Sequence, residues 1–157
     1  MTTFLKFIII TIFFNITLFA HCQIPCGIYS DAIQIIQIKE DLQTIEKSNI
    51  MIKKLSGKSD PQSLNQVNRW IFSKEEHAQN IQNIISQYFL TQRIKQSSAN
   101  YENELITLHQ LLVSIMKCKQ NVSTENVKNS NKLLDSFSKY FFDEHGLKHL
   151  KDLENLD

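Results

Sequence analysis

Apolar residues recur with the period of an α-helix in four long stretches of the chain. The first predicted helix runs from about Asp31 to Leu55, and Gly57 is typical of a residue that ends a helix. The second begins at Asp60, an N-cap residue followed by a proline at the first helical position, and ends near Ile94. The side chains predicted to face the interior are Ile35, Ile38, Leu42, Ile45 and Ile52 in the first helix and Leu64, Val67, Ile71, Ala78, Ile81, Ile85 and Tyr88 in the second.

Two further helices follow the same pattern. The third is predicted to start near Ser97 or Ser98 and the fourth near Ser123. Short polar links favour antiparallel neighbours, and two prolines and three glycines are too few for the many turns of an all-β fold. The predicted fold is all-α, an antiparallel four-helix bundle. Its interior is predicted to include Tyr101, Leu105, Leu108, Leu112, Ile115 and Cys118 from the third helix and Val127, Leu134, Phe137 and Phe141 from the fourth.

Beyond Phe142 the composition changes. Within residues 143–157, every third residue from Leu147 onward is a leucine. This spacing predicts a short amphipathic helix or a partly ordered tail. These leucines are Leu147, Leu150, Leu153 and Leu156.

The first 20 residues have the pattern of a cleaved secretory signal peptide. Lys6 is their one charged residue, an apolar run follows it, and Ala20 is a small residue suited to cleavage after it. A permanent membrane span is the weaker alternative, because a span needs about 20 predominantly apolar residues. Cleavage removes one of the 17 Lys and Arg residues. The remaining 16 balance the 16 Asp and Glu residues, so the mature chain is formally neutral. We therefore expect no nucleic-acid partner and no stable membrane association after cleavage.

The next segment, HCQIPCGIY from His21 to Tyr29, concentrates the chemistry of the chain. After cleavage, His21 would carry a free α-amine beside its imidazole, and Cys22 and Cys26 would supply two thiolates. A proline lies between the two cysteines and a glycine follows the second one. These two residues would let the segment turn as a hook around one metal ion. The amine, the backbone nitrogen of Cys22 and both thiolates would make a planar ligand set suited to Ni(II) or Cu(II), whereas a tetrahedral set would suit zinc.

Two other interpretations use the same cysteines. In the first, the chain is a non-enzymatic exported helical protein in which a Cys22–Cys26 disulfide fastens the N-terminus. In the second, it is a thiol–disulfide redox protein, although such proteins usually carry a closer cysteine pair on a βαβ scaffold. Cys118 lies on the apolar face of the third helix, which indicates an inert core residue.

The motif H-C-x-x-P-C-G-x-Y resembles the processed N-terminus of nickel-containing superoxide dismutases. A second stretch, Asn68 to Lys95, is similar to the second-helix region of some family members, and the resemblance extends over roughly His21 to Phe142. It implies an enzyme that converts superoxide to dioxygen and hydrogen peroxide by Ni(III)/Ni(II) cycling, with one nickel ion per subunit and a homohexameric assembly. The fixed positions of the motif are His21, Cys22, Pro25, Cys26, Gly27 and Tyr29.

The resemblance also implies a role for each residue of the hook. His21 would bind nickel through its α-amine and its imidazole, Cys22 through its backbone nitrogen and thiolate, and Cys26 through its thiolate. Tyr29 would stand at the open side of the metal, where it orders water and admits only small anions. Tyr88 resembles a second tyrosine near the site, and a core position is the alternative for it.

The chain departs from the family pattern at the residues around this site. The family usually has a proline two residues after the motif tyrosine, where this chain has Ser30-Asp31, one of which we expect to cap the first helix. Some members hold the axial imidazole with a glutamate and an arginine, and the corresponding positions here are Gln37 and, approximately, His77. The other histidines, which have no ligand set around them in the sequence, are interpreted as solvated: His109, His145 and His149.

The expected organisation is therefore a signal peptide over residues 1–20, a nickel-binding hook over 21–29, a four-helix bundle over 30–142 and a C-terminal tail over 143–157. A signal peptide implies export, and we expect the mature protein in the periplasm or outside the cell.

Overall fold

The structure is a computed structural model that describes residues 30–155. All regular structure in this part of the chain is helical, which confirms the all-α prediction. The predicted signal peptide and hook lie outside the described residues. The helices are α1 (Asp31–Leu55), α2 (Pro61–Asn83), a π-helical segment (Ile84–Arg93) that continues α2, α3 (Tyr101–Gln120), α4 (Thr124–Phe141) and α5 (Glu144–Glu154).

The start of α2 follows from its sequence. Asp60 is the N-cap and its side chain accepts a hydrogen bond from the backbone N–H of Ser63 at 2.9 Å, with Pro61 at the first helical position. Hydrogen bonds from Ser63 hold the pKa of the Asp60 carboxyl below its usual value. The third helix starts later than predicted, at Tyr101, because the Ser98 hydroxyl bonds the Glu104 side chain and the link stays a turn.

Side-chain contacts show that α1 and α2 run antiparallel. Asp31, at the start of α1, accepts a hydrogen bond from the Tyr88 hydroxyl after the end of α2. Asp41 contacts His77 about three turns further along α1 and about three turns earlier in α2. The link between the two helices is short, so the chain must reverse directly. The N-terminal end of α1 therefore lies beside the π-helical segment.

Helices α3 and α4 also run antiparallel, and α4 packs against α1. Ser114 and Ser130 join α3 and α4 through their hydroxyls at 2.8 Å, and the Asn100 side chain bonds the Tyr140 carbonyl at 2.9 Å. The Asn49 amide of α1 donates to the carbonyl before α4. The apolar stripes of these helices therefore meet in a shared interior.

The interior confirms most of the predicted inward-facing positions. Phe89 of the π-helical segment makes edge-to-face contacts with Phe137 and Phe141 of α4, with ring centroids 5.0 and 5.5 Å apart. Predicted residues that are buried are Ile35, Ile38, Leu42, Ile45, Ile52, Ala78, Ile81, Ile85, Tyr88, Leu108, Ile115, Cys118, Val127, Leu134 and Phe137.

Two predicted interior residues in the first half of α2 are exposed instead. Leu64 is 51% and Ile71 is 40% exposed, and the neighbouring Phe72 is 70% exposed. The reason lies at the end of α3: the buried Lys74 ammonium donates to the Lys119 carbonyl at 2.6 Å, in the last turn of that helix. Residues 61–73 extend past this point, so α3 does not cover them.

The C-terminal segment forms helix α5, which packs against α1 and, through Leu150, joins the core. Lys39 of α1 pairs with Glu154 of α5 at 2.5 Å and with Asp135 at 3.3 Å. Within residues 30–155, no helix combines the length and the apolar character that a membrane span requires.

Replacing Leu150 by Ala is expected to lower the free energy of unfolding by about 2–3 kcal/mol, because a buried leucine loses its packing and leaves a cavity. Lys148→Ala, on the exposed face of the same helix, is the control and should change it by less than about 0.5 kcal/mol. Urea unfolding followed by circular dichroism measures both. Equal stability of the two variants would mean that α5 does not contribute to the core.

Candidate functional site

A polar cleft of about 600 Å³ lies between α1 and α2, near the N-terminal end of α1. The residues from α1 stand three and four positions apart, so one face of the helix presents them together. The opposite wall comes from the second half of α2 and from the π-helical segment. The cleft is lined by Gln34, Gln37, Asp41, Glu76, His77, Asn80, Asn83, Ile84 and Tyr88.

A buried carboxylate lies at the inner end of this cleft. Asp41 is 1% exposed, and both of its oxygens are hydrogen-bonded: Oδ1 lies 2.6 Å from Nδ1 of His77, and Oδ2 accepts from Nδ2 of Asn80 at 2.7 Å. An ionised carboxylate only accepts hydrogen bonds, so this contact requires a proton on Nδ1 of His77 when Asp41 is ionised. The imidazole is 35% exposed, and its Nε2 is the nitrogen that Asp41 does not engage. The pair orients a histidine in a polar cleft.

A second carboxylate, that of Asp31 at the start of α1, bonds Tyr88, which lines the cleft. Asp31 receives a two-point contact from Arg93, with Nε 2.7 Å from Oδ1 and Nη2 2.6 Å from Oδ2. The Tyr88 hydroxyl donates to Oδ1 at 2.6 Å, and the Arg93 guanidinium lies 6.0 Å from the Tyr88 ring centroid. The side chains of Asp31 and Arg93 are 19% and 35% exposed. We refer to Asp31, Tyr88 and Arg93 as the Asp31 clamp.

The residues predicted as metal ligands or as catalytic groups, His21, Cys22, Cys26 and Tyr29, lie outside the described residues. The residues predicted to surround the site are described, and they lie together. Gln37, His77 and Tyr88 all line the cleft, although they come from three different helical segments.

Sequence reasoning missed the partners of these residues. Asp41 stands among the apolar positions of α1, and a carboxylate there was a usable signal for a buried polar contact. Asn80 and Arg93 gave no such signal, because their contacts join residues that are 39 and 62 positions apart.

Cys118 is a core residue, as predicted. It is fully buried, with its sulfur 3.8 Å from the Ser130 hydroxyl, and burial raises the pKa of its thiol. A thiol that resists ionisation is a poor metal ligand. His109, His145 and His149 are exposed. Between residues 30 and 155, no three His, Cys, Asp or Glu side chains are grouped so that they would hold a metal ion.

Comparison with known families identifies the protein. Residues 17–145 match the family described as nickel-containing superoxide dismutase, and the chain belongs to that family. No curated protein and no solved structure matches the chain. The protein is a nickel-dependent oxidoreductase whose substrate is superoxide, and nothing favours the non-enzymatic alternative. Most of α5 lies beyond the matched residues.

Proposed function

We propose that this superoxide dismutase binds one nickel ion per subunit at its N-terminal hook, through His21, Cys22 and Cys26. The observation that carries the proposal is the span of the family match, which begins at residue 17 and includes the whole hook. The described residues offer no competing group of metal ligands. Thiolates and nitrogen donors are ligands that suit nickel in a planar set, so the donor types of the hook fit the cofactor.

The reaction converts two superoxide anions and two protons to one dioxygen and one hydrogen peroxide. When bound, nickel would supply the one-electron couple that this reaction needs. Tyr29 and His21 are the catalytic residues we propose: Tyr29 would limit access to small anions, and the His21 imidazole would be a further nitrogen ligand to the nickel. In the cleft, the contact of Nδ1 of His77 with Asp41 at 2.6 Å orients the imidazole.

The architecture that supports this site is an antiparallel four-helix bundle of α1 to α4, preceded by the hook. The antiparallel contacts within the α1–α2 and α3–α4 pairs support it. In this arrangement the hook connects to the core through Ser30, at the end of α1 that borders the polar cleft.

We propose that residues 1–20 are removed during export to the periplasm or the cell exterior, and that the mature chains form a homohexamer. The apolar side chains of Leu64, Ile71 and Phe72 are exposed on one chain, and assembly of several copies gives them a place to be covered. After cleavage the chain has no stable association with a membrane.

The test is nickel quantification and N-terminal sequencing on protein purified from its own export pathway. We expect chains that begin at His21 and hold one nickel ion each. Unprocessed precursor is the control, and it should hold no nickel in the active form because its His21 nitrogen is part of a peptide bond. Active, nickel-loaded protein that begins at another residue would contradict the proposed ligand set.

A further inference from the structure

The start of α1 is held by side chains from the π-helical segment. Ser30 occupies the N-cap position of α1, but its side chain makes no capping hydrogen bond. Asp31 does not cap the helix either, because both oxygens of its carboxylate bind Arg93 and one also binds Tyr88. The expectation that Ser30 or Asp31 is the N-cap of α1 is confirmed at Ser30, although neither side chain supplies a capping hydrogen bond. A long-range contact replaces the short-range one at this helix end.

The π-helical segment explains why Tyr88 and Arg93 reach the same carboxylate. They are five residues apart, which is the i→i+5 spacing of π-helical hydrogen bonds, so the two side chains leave the same side of the segment. In an α-helix of 3.6 residues per turn, residues five apart would point about 140° away from each other. The wide turns are thus what assembles the Asp31 clamp, and π-helical turns, which are rare, are frequently found at functional sites.

The strength of the clamp follows from its chemistry. A guanidinium that contacts both oxygens of a carboxylate fixes orientation as well as distance, which a lysine would not do. The pair is partly shielded from water, and the Tyr88 ring beneath it is 4% exposed and packs edge-to-face on Phe89. Because Phe89 is fully buried, the clamp ties the first residue of α1 to the core.

We infer that Asp31, Arg93 and Tyr88 are positioning residues for the nickel hook. The inference rests on the proposed function, in which residues 21–29 carry the ligands. Asp31 is separated from the last residue of the hook by Ser30 alone, so the clamp sets where the hook leaves the helical core. It also joins that point to Tyr88, which lines the polar cleft. Loosening the clamp should leave the helices folded but weaken the constraint on the residue from which the hook extends.

Asp31→Asn tests the inference, because it keeps the shape of the side chain and removes its charge. We expect nickel to transfer to a chelator about tenfold faster, as is usual when a group that orients metal ligands is lost. The electron paramagnetic resonance spectrum of the oxidised protein should also broaden, since the axial nitrogen is no longer held in one orientation. Glu154→Gln is the matched control, because it also converts a carboxylate paired with a cation to an amide. Its partner Lys39 lies on α1, the helix that carries Asp31. It should release nickel at the wild-type rate.

Arg93→Gln and the double variant Asp31→Asn/Arg93→Gln complete a double-mutant cycle on the rate of nickel release. If the two residues act as one unit, the double variant releases nickel no faster than either single variant. If they act independently, the two accelerations of nickel release multiply to about a hundredfold. Tyr88→Phe, which removes one hydroxyl, serves if the charge variants fail to fold, and it should accelerate release by a smaller factor.

The outcomes separate the two proposals. Folded clamp variants that release nickel at the wild-type rate and give the wild-type spectrum would overturn the positioning role. They would leave the proposed nickel hook unaffected. Wild-type protein that holds no nickel after processing would overturn the proposed site itself, and the clamp proposal with it. Faster release in Glu154→Gln equal to that in Asp31→Asn would show a general loss of stability and contradict the specific role.

Discussion

One residue added before His21 is expected to abolish the native nickel site while the helices stay folded. The addition turns the α-amine of His21 into an amide and moves the new amine away from the hook, so the metal loses one of its nitrogen ligands. Superoxide consumption should fall by more than about 100-fold, since losing a direct ligand costs more than losing a group that merely supports one. The apolar side chains of α1 to α4 pack against one another within the described residues, so we expect helical circular dichroism to be unchanged.

His21→Ala makes the complementary change and is the comparison for this experiment. It keeps the α-amine, the backbone nitrogen of Cys22 and both thiolates, but it removes the imidazole. We expect this variant to retain Ni(II) and to consume superoxide slowly. Nickel stoichiometry and superoxide consumption on both variants separate the planar ligands from the axial one. Full activity in the extended protein would contradict the N-terminal hook mechanism.

Replacing either hook cysteine by serine is expected to remove nickel and to abolish activity. A hydroxyl oxygen is a harder and much weaker donor than a thiolate, so Cys22→Ser and Cys26→Ser should each lower nickel content to background. The measurement is metal quantification on purified protein together with superoxide consumption.

Cys118→Ser is the control for both hook variants, because it makes the same chemical change at a cysteine inside the core. The Cys118 side chain is fully buried beside the Ser130 hydroxyl, and burial raises the pKa of its thiol. We expect full nickel content and activity, with a loss of about 1–2 kcal/mol in the free energy of unfolding from the added polarity. Loss of nickel in this control, with retention in a hook variant, would show that the site is assigned to the wrong cysteines.

The helices could be predicted because their signals are local. The N-cap Asp60 and the proline after it mark the start of α2 in both the sequence and the structure. The stripe of α1 predicted its buried face, from Ile35 to Ile52, without error. The same reasoning failed at Leu64 and Ile71, because periodicity identifies an apolar face and does not say whether another helix is long enough to cover it.

Within the candidate site, the sequence located Gln37, His77 and Tyr88 through a resemblance, and the structure adds what these residues touch. His77 is held by the buried Asp41, and Tyr88 by Asp31 and Arg93. The π-helical turns that bring Tyr88 and Arg93 to one side could not be foreseen, since the sequence predicted a continuous helix to near Ile94. The choice between α and π turns depends on packing against neighbouring helices, which a single sequence does not contain.

The sequence by itself determined the helical class, most of the interior faces of the helices and the family. Apolar periodicity, helix caps and the N-terminal motif are each local signals, carried by residues close together in the chain. Only the tertiary structure decided which polar residues meet. Asp41 with His77 and Asn80, and Asp31 with Tyr88 and Arg93, are pairs separated by 36 to 62 positions. Their partners are chosen by the antiparallel register of α1 against α2 and by the width of the π-helical turns, and register is a property of packed helices rather than of either helix alone.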